Sequence, residues 1–188
     1  IALGIFAIVS IIRLHFLVRE AVRYKNNVYI CDNVSSPFIL GIVKPRIYIS
    51  SALDDKEFFY VIAHEKAHLR RNDHVWKPVA YLLLCIYWFN PLCWFAYNLL
   101  CKDIELACDE KVIRNMRFME LKEYSRVLVS CAAQRHLVMV CPVAFGEVGV
   151  RERVKKILKY KRPSFLISLA AIMICIVVAV CFLTDPVS

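Results

Sequence analysis

Positive charge is confined to the middle of this chain of 188 residues. All 25 Lys and Arg residues lie between Arg13 and Arg162, so the first twelve and the last twenty-six residues carry none. Segments rich in Lys and Arg stay on the cytoplasmic side of a membrane. Because 60% of the residues are hydrophobic, more than in an ordinary soluble domain, we expect a membrane protein with a cytoplasmic centre.

Both ends of the chain predict membrane-spanning helices. Residues 1–18 are apolar except for Ser10, Arg13 and His15, and we expect the end of a transmembrane helix whose start has been cut off. Residues 163–183 include twenty consecutive uncharged residues after a basic block, which predicts a second span. Residues 184–188 would then form an extracellular tail.

Residues 19–162, between these ends, predict one α+β domain that is mainly helical. Short β-branched and aromatic runs at residues 28–30 and 47–49 are separated by Ser, Pro and Gly, which predicts a small sheet of two or three strands. Strand 47–49 is either an exposed edge that holds a peptide or an ordinary core strand. Residues 57–71 have helical apolar spacing, and residues 136–150 are predicted to form a loop.

The helix at residues 57–71 carries the pattern His-Glu-x-x-His. The spacing of His64 and His68 places both imidazoles on one helix face, one turn apart, so that two nitrogens can bind one zinc ion. Glu65 lies beside them and is predicted to activate a metal-bound water. The pattern has only five positions, and a chance match on a surface helix is the alternative.

A catalytic zinc ion usually has three protein ligands, and Glu105 is the candidate for the third. It shares a helix face with Asp109, which we predict accepts the free N–H of a ligating histidine. Asp73 either does the same or begins the next helix. The alternative for the two carboxylates at 105 and 109 is a solvated pair. Cys108 is expected to be a buried small side chain, without a role at the metal.

The apolar residues 79–100 are long enough to cross a bilayer, but Asn90 and Pro91 interrupt them. A single crossing would put Glu105 on the opposite side of the membrane from His64 and His68. We therefore expect a re-entrant or hairpin segment that turns near Asn90, or one that packs along the domain.

Two other function classes are disfavoured by composition. Nine scattered cysteines are an odd number without paired spacing, which indicates reduced thiols rather than a disulfide framework. The net charge of +9 comes from cations interleaved with Asp and Glu near apolar segments. Such cations fit contact with lipid headgroups better than direct contact with nucleic acid, and no helix-turn-helix pattern is present.

Taken in order, the motifs resemble those of the integral-membrane zinc peptidases of the BlaR/MecR type, the bacterial antirepressor and beta-lactam signal-transducer proteins. The residues that carry the resemblance are Ser36, Pro37, Gly41, Pro45, Arg46, Ile47, His64, Glu65, His68, Arg71, Asp73, Phe89, Asn90, Pro91, Leu92, Trp94, Glu105, Asp109 and Glu110. The resemblance implies a gluzincin-like site in which the two histidines and Glu105 bind Zn2+ and Glu65 is the general base and acid.

The resemblance also implies a multi-pass protein of the bacterial cell membrane whose catalytic domain faces the cytoplasm. Such a protease cleaves itself and, directly or indirectly, inactivates a DNA-binding repressor, and a homodimer is a further expectation. The beta-lactam sensors carry a penicillin-binding domain after their last span, and this chain has no Ser-x-x-Lys acylation motif. The alternative function is a non-proteolytic membrane signalling or scaffold module with a structural zinc site of four ligands.

Overall fold

A computed structural model describes residues 2–133, 146–160 and 165–183 of the chain. In this part the chain forms helices and a small sheet, as expected for an α+β fold that is mostly helical. The elements are α1 (Ala2–Leu17), β1 (Val22–Lys25), β2 (Val28–Ile30), β3 (Phe38–Leu40), β4 (Arg46–Ile49), α2 (Asp55–Arg70), α3 (Asp73–Ile86), α4 (Pro91–Ile113), α5 (Phe118–Ala133), α6 (Gly146–Leu158) and α7 (Phe165–Leu183).

The sheet has four strands in the order β1-β2-β4-β3, in which β2 and β4 are parallel and the outer pairs antiparallel. Strand β4 is internal, and Ile47 and Ile49 are fully buried. The idea that strand 47–49 is an exposed edge is therefore wrong, and the core-strand alternative holds. The sequence pattern missed β1, which is exposed at every residue, and β3, which lies between Pro37 and Gly41.

Helix α2 begins with a capping box in which Asp54 accepts from the backbone N–H of Glu57 and the Glu57 side chain accepts from that of Asp54. One face of α2 packs Tyr60 and Val61 against the sheet. Helices α5 and α6 close the same core, to which they contribute apolar side chains including Val127 and Ile157. The face of α2 that carries His64 and His68 packs against α4.

Helices α3 and α4 form a hairpin over the apolar residues 79–100. The chain turns at residues 87–90, where the Asn90 side chain accepts from the Leu92 N–H and Pro91 occupies the first turn of α4. The two helices contact each other, and α4 continues without a break to Ile113. This path returns Glu105 to the side of α2. Large apolar side chains, including Trp88, Phe89, Leu92 and Phe95, are exposed around the turn.

No helix in the described ranges combines the length and the hydrophobicity that a bilayer crossing requires. The prediction of a loop over residues 136–150 is wrong at its end, because Gly146–Val150 are helical and belong to α6. The beginning of that segment, up to residue 145, lies outside the described residues, as does the tail 184–188. All eight cysteines in the described part are free thiols.

Candidate metal centre

Three side chains from two helices converge on one point. Nε2 of His64 and Nε2 of His68 lie 3.1 Å apart on α2, and the Glu105 carboxylate of α4 faces both. Its Oε2 lies 3.4 Å from Nε2 of His64, and its Oε1 lies 3.5 Å from Nε2 of His68. Ligands about 2.0–2.1 Å from a zinc ion at the centre of a tetrahedron are separated by about 3.3–3.4 Å. The spacing of the donor atoms therefore fits such an ion.

The opposite nitrogen of each imidazole is held by an acceptor. Tyr124 donates its hydroxyl proton to Asp109 Oδ1 at 2.7 Å, so its oxygen accepts from Nδ1–H of His64 at 2.9 Å. Asp73 Oδ2 accepts from Nδ1–H of His68 at 2.9 Å. Both Nε2 atoms are therefore turned toward each other, the orientation that a shared metal ion needs.

The two carboxylates predicted to support the histidines, Asp73 and Asp109, lie at different distances from the imidazole rings. Asp73 accepts a hydrogen bond from His68 directly and is also the first residue of α3. Asp109 Oδ1 lies 3.3 Å from Nδ1 of His64, and its stronger link to that ring runs through the Tyr124 hydroxyl. His74, the neighbour of Asp73, takes no part in the clusters that could hold a metal among the described residues.

The surroundings of the two buried imidazoles shift their pKa values in opposite directions. Burial alone lowers the pKa of His64, but hydrogen bonds with Asp109 and Glu105 outweigh it and raise that pKa to about 9. Burial dominates at His68 and lowers its pKa. Without a metal ion, His64 therefore carries the proton at neutral pH, and its Nε2–H donates to the free Nε2 of His68.

The Glu105 carboxylate is ionised despite its burial. Burial raises its pKa, but Lys77, the hydrogen bond with His64 and Arg153 together hold the pKa well below the ordinary value. Nζ of Lys77 lies 2.9 Å from Oε1, and Nη1 of Arg153 lies 3.1 Å from Oε2. Among the described residues Oε2 has no hydrogen-bond partner of good geometry, although nitrogens of His64 and Arg153 lie 3.4 and 3.1 Å from it.

Arg153 on α6 is a site residue that the sequence pattern did not reveal. Its Nε and Nη2 donate to the two oxygens of Asp109 at 2.7 and 2.8 Å, a bidentate pair in a buried position. This pairing holds the pKa of Asp109 below its ordinary value although burial raises it. Arg153 thus neutralises the carboxylate that supports Tyr124 and His64.

Glu65 lies between the two histidines in sequence and is buried. Its charge acts on the site, since it opposes the effect of burial on the pKa of His68 and adds to the effect of Glu105 on the pKa of Lys77. Burial alone lowers the pKa of Lys77, but Glu105 outweighs it and the net change is upward.

Cys108 lies behind His68, away from the converging Nε2 atoms. Its sulfur is 3.2 Å from Nδ1 of His68 and 3.2 Å from Asp73 Oδ2. Together the three form a second group with ligand atoms close enough for a metal. However, burial and Asp73 raise the pKa of the thiol far above neutrality. The protonated thiol donates to Asp73 and fills the space behind the ring, as expected for a small buried side chain.

The comparison with known families decides what this arrangement belongs to. The profile of the BlaR1 peptidase M56 family matches residues 12–157, which is most of the chain and includes every site residue described above. The chain belongs to the BlaR1 peptidase M56 family. The resemblance inferred from the motifs is thereby confirmed.

Relatives of this M56 chain include two kinds of curated protein. The methicillin resistance mecR1 protein of Staphylococcus aureus is 26% identical over 143 residues, which cover 73% of this chain and 24% of the relative. The regulatory protein BlaR1 of Bacillus licheniformis is 27% identical over 116 residues, 59% of this chain and 19% of the relative. The aligned region thus spans about a quarter or less of the length of these relatives.

Proposed function

We propose that this chain is a membrane-embedded, zinc-dependent endopeptidase of bacterial signal transduction. The observation that carries the proposal is the pair of facing Nε2 atoms on His64 and His68, closed on one side by Glu105. Two lone pairs and a carboxylate directed at one point would repel one another without a proton or a metal ion between them. Membership in a peptidase family supports the same conclusion.

In this proposal His64, His68 and Glu105 hold Zn2+. A bound zinc ion supplies an acidified water and polarises the scissile carbonyl. Glu65 takes the proton of the attacking water and delivers it to the nitrogen of the leaving amine. Asp73 and the Asp109–Tyr124 pair keep the imidazoles in the Nδ1–H form and fix their orientation.

We further propose protein or peptide substrates, with the chain itself and a repressor-type cytoplasmic protein as the first candidates, and a second copy of the chain as a partner. The relatives are described as a resistance protein and a regulatory protein, which supports a switch rather than a digestive protease. For the topology we propose spans at residues 1–18 and 163–183, a cytoplasmic domain over 19–162, and a hairpin at 79–100 whose exposed aromatic residues contact lipid.

The positions of the other acidic and thiol groups favour an enzyme over a structural zinc module. A structural site needs a fourth protein ligand. Among the described residues, the group formed by His64, His68 and Glu105 includes no fourth ligand, and Cys108 faces Nδ1 of His68 rather than Nε2.

The test compares zinc-loaded wild type with Glu65→Gln in detergent, with mass spectrometry of the cleavage products of the chain itself and of added protein. Glu65→Gln should keep zinc and lose cleavage, because only the proton carrier is removed. Glu123→Gln, an exposed carboxylate on α5, is the matched control and should cleave like wild type. Full proteolysis by Glu65→Gln contradicts the assigned role.

A further inference from the structure

Two cations flank the Glu105 carboxylate, and they differ in solvent exposure and in the number of their other hydrogen bonds. Arg153 faces Oε2 with a side chain only 7% exposed, and Lys77 faces Oε1 with a side chain 34% exposed. Arg153 is committed to Asp109 by two hydrogen bonds. Lys77 is the more exposed of the two cations and lies on α3, the helix that begins the apolar hairpin.

Peptide hydrolysis requires a donor for the oxygen that becomes negative when water adds to the carbonyl. Tyr124 is unsuited, because its single hydroxyl proton is donated to Asp109 behind the His64 ring. An ammonium has three N–H protons. Lys77 uses one of them on Glu105, and within the described residues its Nζ makes no other hydrogen bond, so two protons remain for a ligand.

The charges around Lys77 also favour this position for a substrate group. Nζ of Lys77 lies 2.9 Å from Oε1 of Glu105, which places a cation beside the proposed metal ligands. A carbonyl oxygen placed beside the Glu105 carboxylate therefore lies near the Lys77 ammonium, the less buried of the two cations. Arg153 and Tyr124 lie behind the ligands and are buried.

We propose that Lys77 is a catalytic residue that donates to the carbonyl oxygen of the scissile peptide bond. This inference rests on the proposed peptidase function. The water oxygen bonds to the carbonyl carbon, its proton passes to Glu65, and the π electron pair moves onto the carbonyl oxygen. Lys77 donates a hydrogen bond to that oxygen and stays protonated. The pair then re-forms the carbonyl, the carbon–nitrogen bond breaks, and the proton on Glu65 passes to the leaving nitrogen.

A purely orienting role for Lys77 makes the opposite prediction for metal binding. If Lys77 only fixes the Glu105 carboxylate, its removal weakens zinc binding, as the loss of an orienting partner does. If its task is to bind the substrate oxygen, its removal takes away a positive charge near a dication and leaves zinc binding equal or tighter. Zinc affinity therefore separates the two roles independently of turnover.

The experiment uses the whole chain in detergent and compares Lys77→Met and Lys77→Arg with wild type. Lys66→Met removes an exposed lysine from the neighbouring helix and is the matched control. Zinc Kd is measured by competition with a chelator, and kcat and KM are measured with fluorescein-labelled casein, with self-cleavage followed by mass spectrometry. Circular dichroism checks folding, and Lys77→Gln replaces the Met variant if the latter does not fold.

The expected result is a fall in kcat of about 10²- to 10³-fold for Lys77→Met, the usual effect of removing one such donor, with zinc Kd unchanged or lower. Lys77→Arg, which keeps a charged donor, should lose no more than about tenfold in kcat. A kcat equal to that of Lys66→Met, or a loss that excess zinc restores, overturns the proposal. If zinc-loaded wild type cleaves neither casein nor itself, the peptidase function itself is contradicted and the inference falls with it.

Discussion

Nε2 of His64 faces Nε2 of His68 across 3.1 Å, and each ring is turned there by an acceptor on its other nitrogen. Only a proton or a metal ion makes this contact favourable, because two facing lone pairs repel each other. At neutral pH the proton belongs to His64. Zinc binding must therefore displace that proton, which gives the site a measurable dependence on pH.

The apparent affinity for zinc should rise with pH up to about 9. The pKa of His64 is about 9 in the metal-free protein, so below that value each zinc ion bound releases one proton. Affinity should increase about tenfold per pH unit between pH 7 and 9 and level off above. Competition with a chelator at several pH values measures this slope, and an affinity independent of pH over that interval contradicts the assigned proton.

The stability of the metal-free protein should peak near pH 6.5, the ordinary value for both histidines. The folded chain holds one proton on this pair, because the pKa of His64 is raised and that of His68 is lowered. Above about 6.5 the unfolded chain holds fewer protons than the folded one, so stability falls as the pH rises toward 9. Below about 6.5 the unfolded chain binds the second proton, so stability falls again.

Denaturant unfolding in the presence of a chelator at pH 5.5, 6.5 and 8 tests this behaviour. The double variant His64→Gln, His68→Gln is the control. It lacks the shared proton and should show a weaker maximum of stability near pH 6.5. Stability that is higher at pH 8 than at pH 6.5 would show that the pair does not hold its proton in the folded state.

Tyr124→Phe should weaken zinc binding by about 10- to 100-fold, the usual effect of losing a partner behind a metal-ligating histidine. The change removes the acceptor for Nδ1–H of His64 and the donor to Asp109. Tyr160→Phe removes a hydroxyl that donates to Glu110 at the surface, and it should bind zinc like wild type. Equal zinc affinity in the two variants would show that Tyr124 does not support zinc binding.

Arg153→Met should destabilise the protein by about 3–5 kcal/mol, because it leaves the buried Asp109 carboxylate unpaired. Arg153→Lys should recover part of this loss, since a lysine keeps the charge but not the bidentate geometry. Arg126→Met removes an exposed arginine from α5 and should change the free energy of unfolding by less than about 0.5 kcal/mol. Denaturant unfolding of the three variants compares these effects, and a similar loss in the Arg126 and Arg153 variants contradicts the pairing.

Sequence spacing could reveal those site residues that lie one turn apart on the same helix. His64 and His68 share a face of α2, and Glu105 and Asp109 share a face of α4, so each pair could be recognised from its spacing. The return of α4 to α2 was expected from the metal hypothesis, because a single crossing would separate Glu105 from the histidines, and Asn90 and Pro91 marked the turn.

Site residues that are distant from one another in the sequence could not be recognised from such a pattern. Tyr124 is 60 residues from His64, Arg153 is 44 residues from Asp109, and Lys77 is 28 residues from Glu105. Their contacts depend on how α5, α6 and α3 pack, and a lone Tyr, Arg or Lys on an amphipathic helix looks like many others. For the same reason the internal position of β4 could not be read from residues 47–49, because β-pairing partners are set by the fold as a whole.

The most direct test of the central claim is the zinc content of the purified chain, measured by mass spectrometry of the metal after removal and reloading. Wild type should bind one zinc ion per chain, and His68→Ala and Glu105→Ala should each bind none under the same conditions, because one of three ligands is missing. A full equivalent of zinc retained by Glu105→Ala would contradict the claim that α2 and α4 share one metal ion.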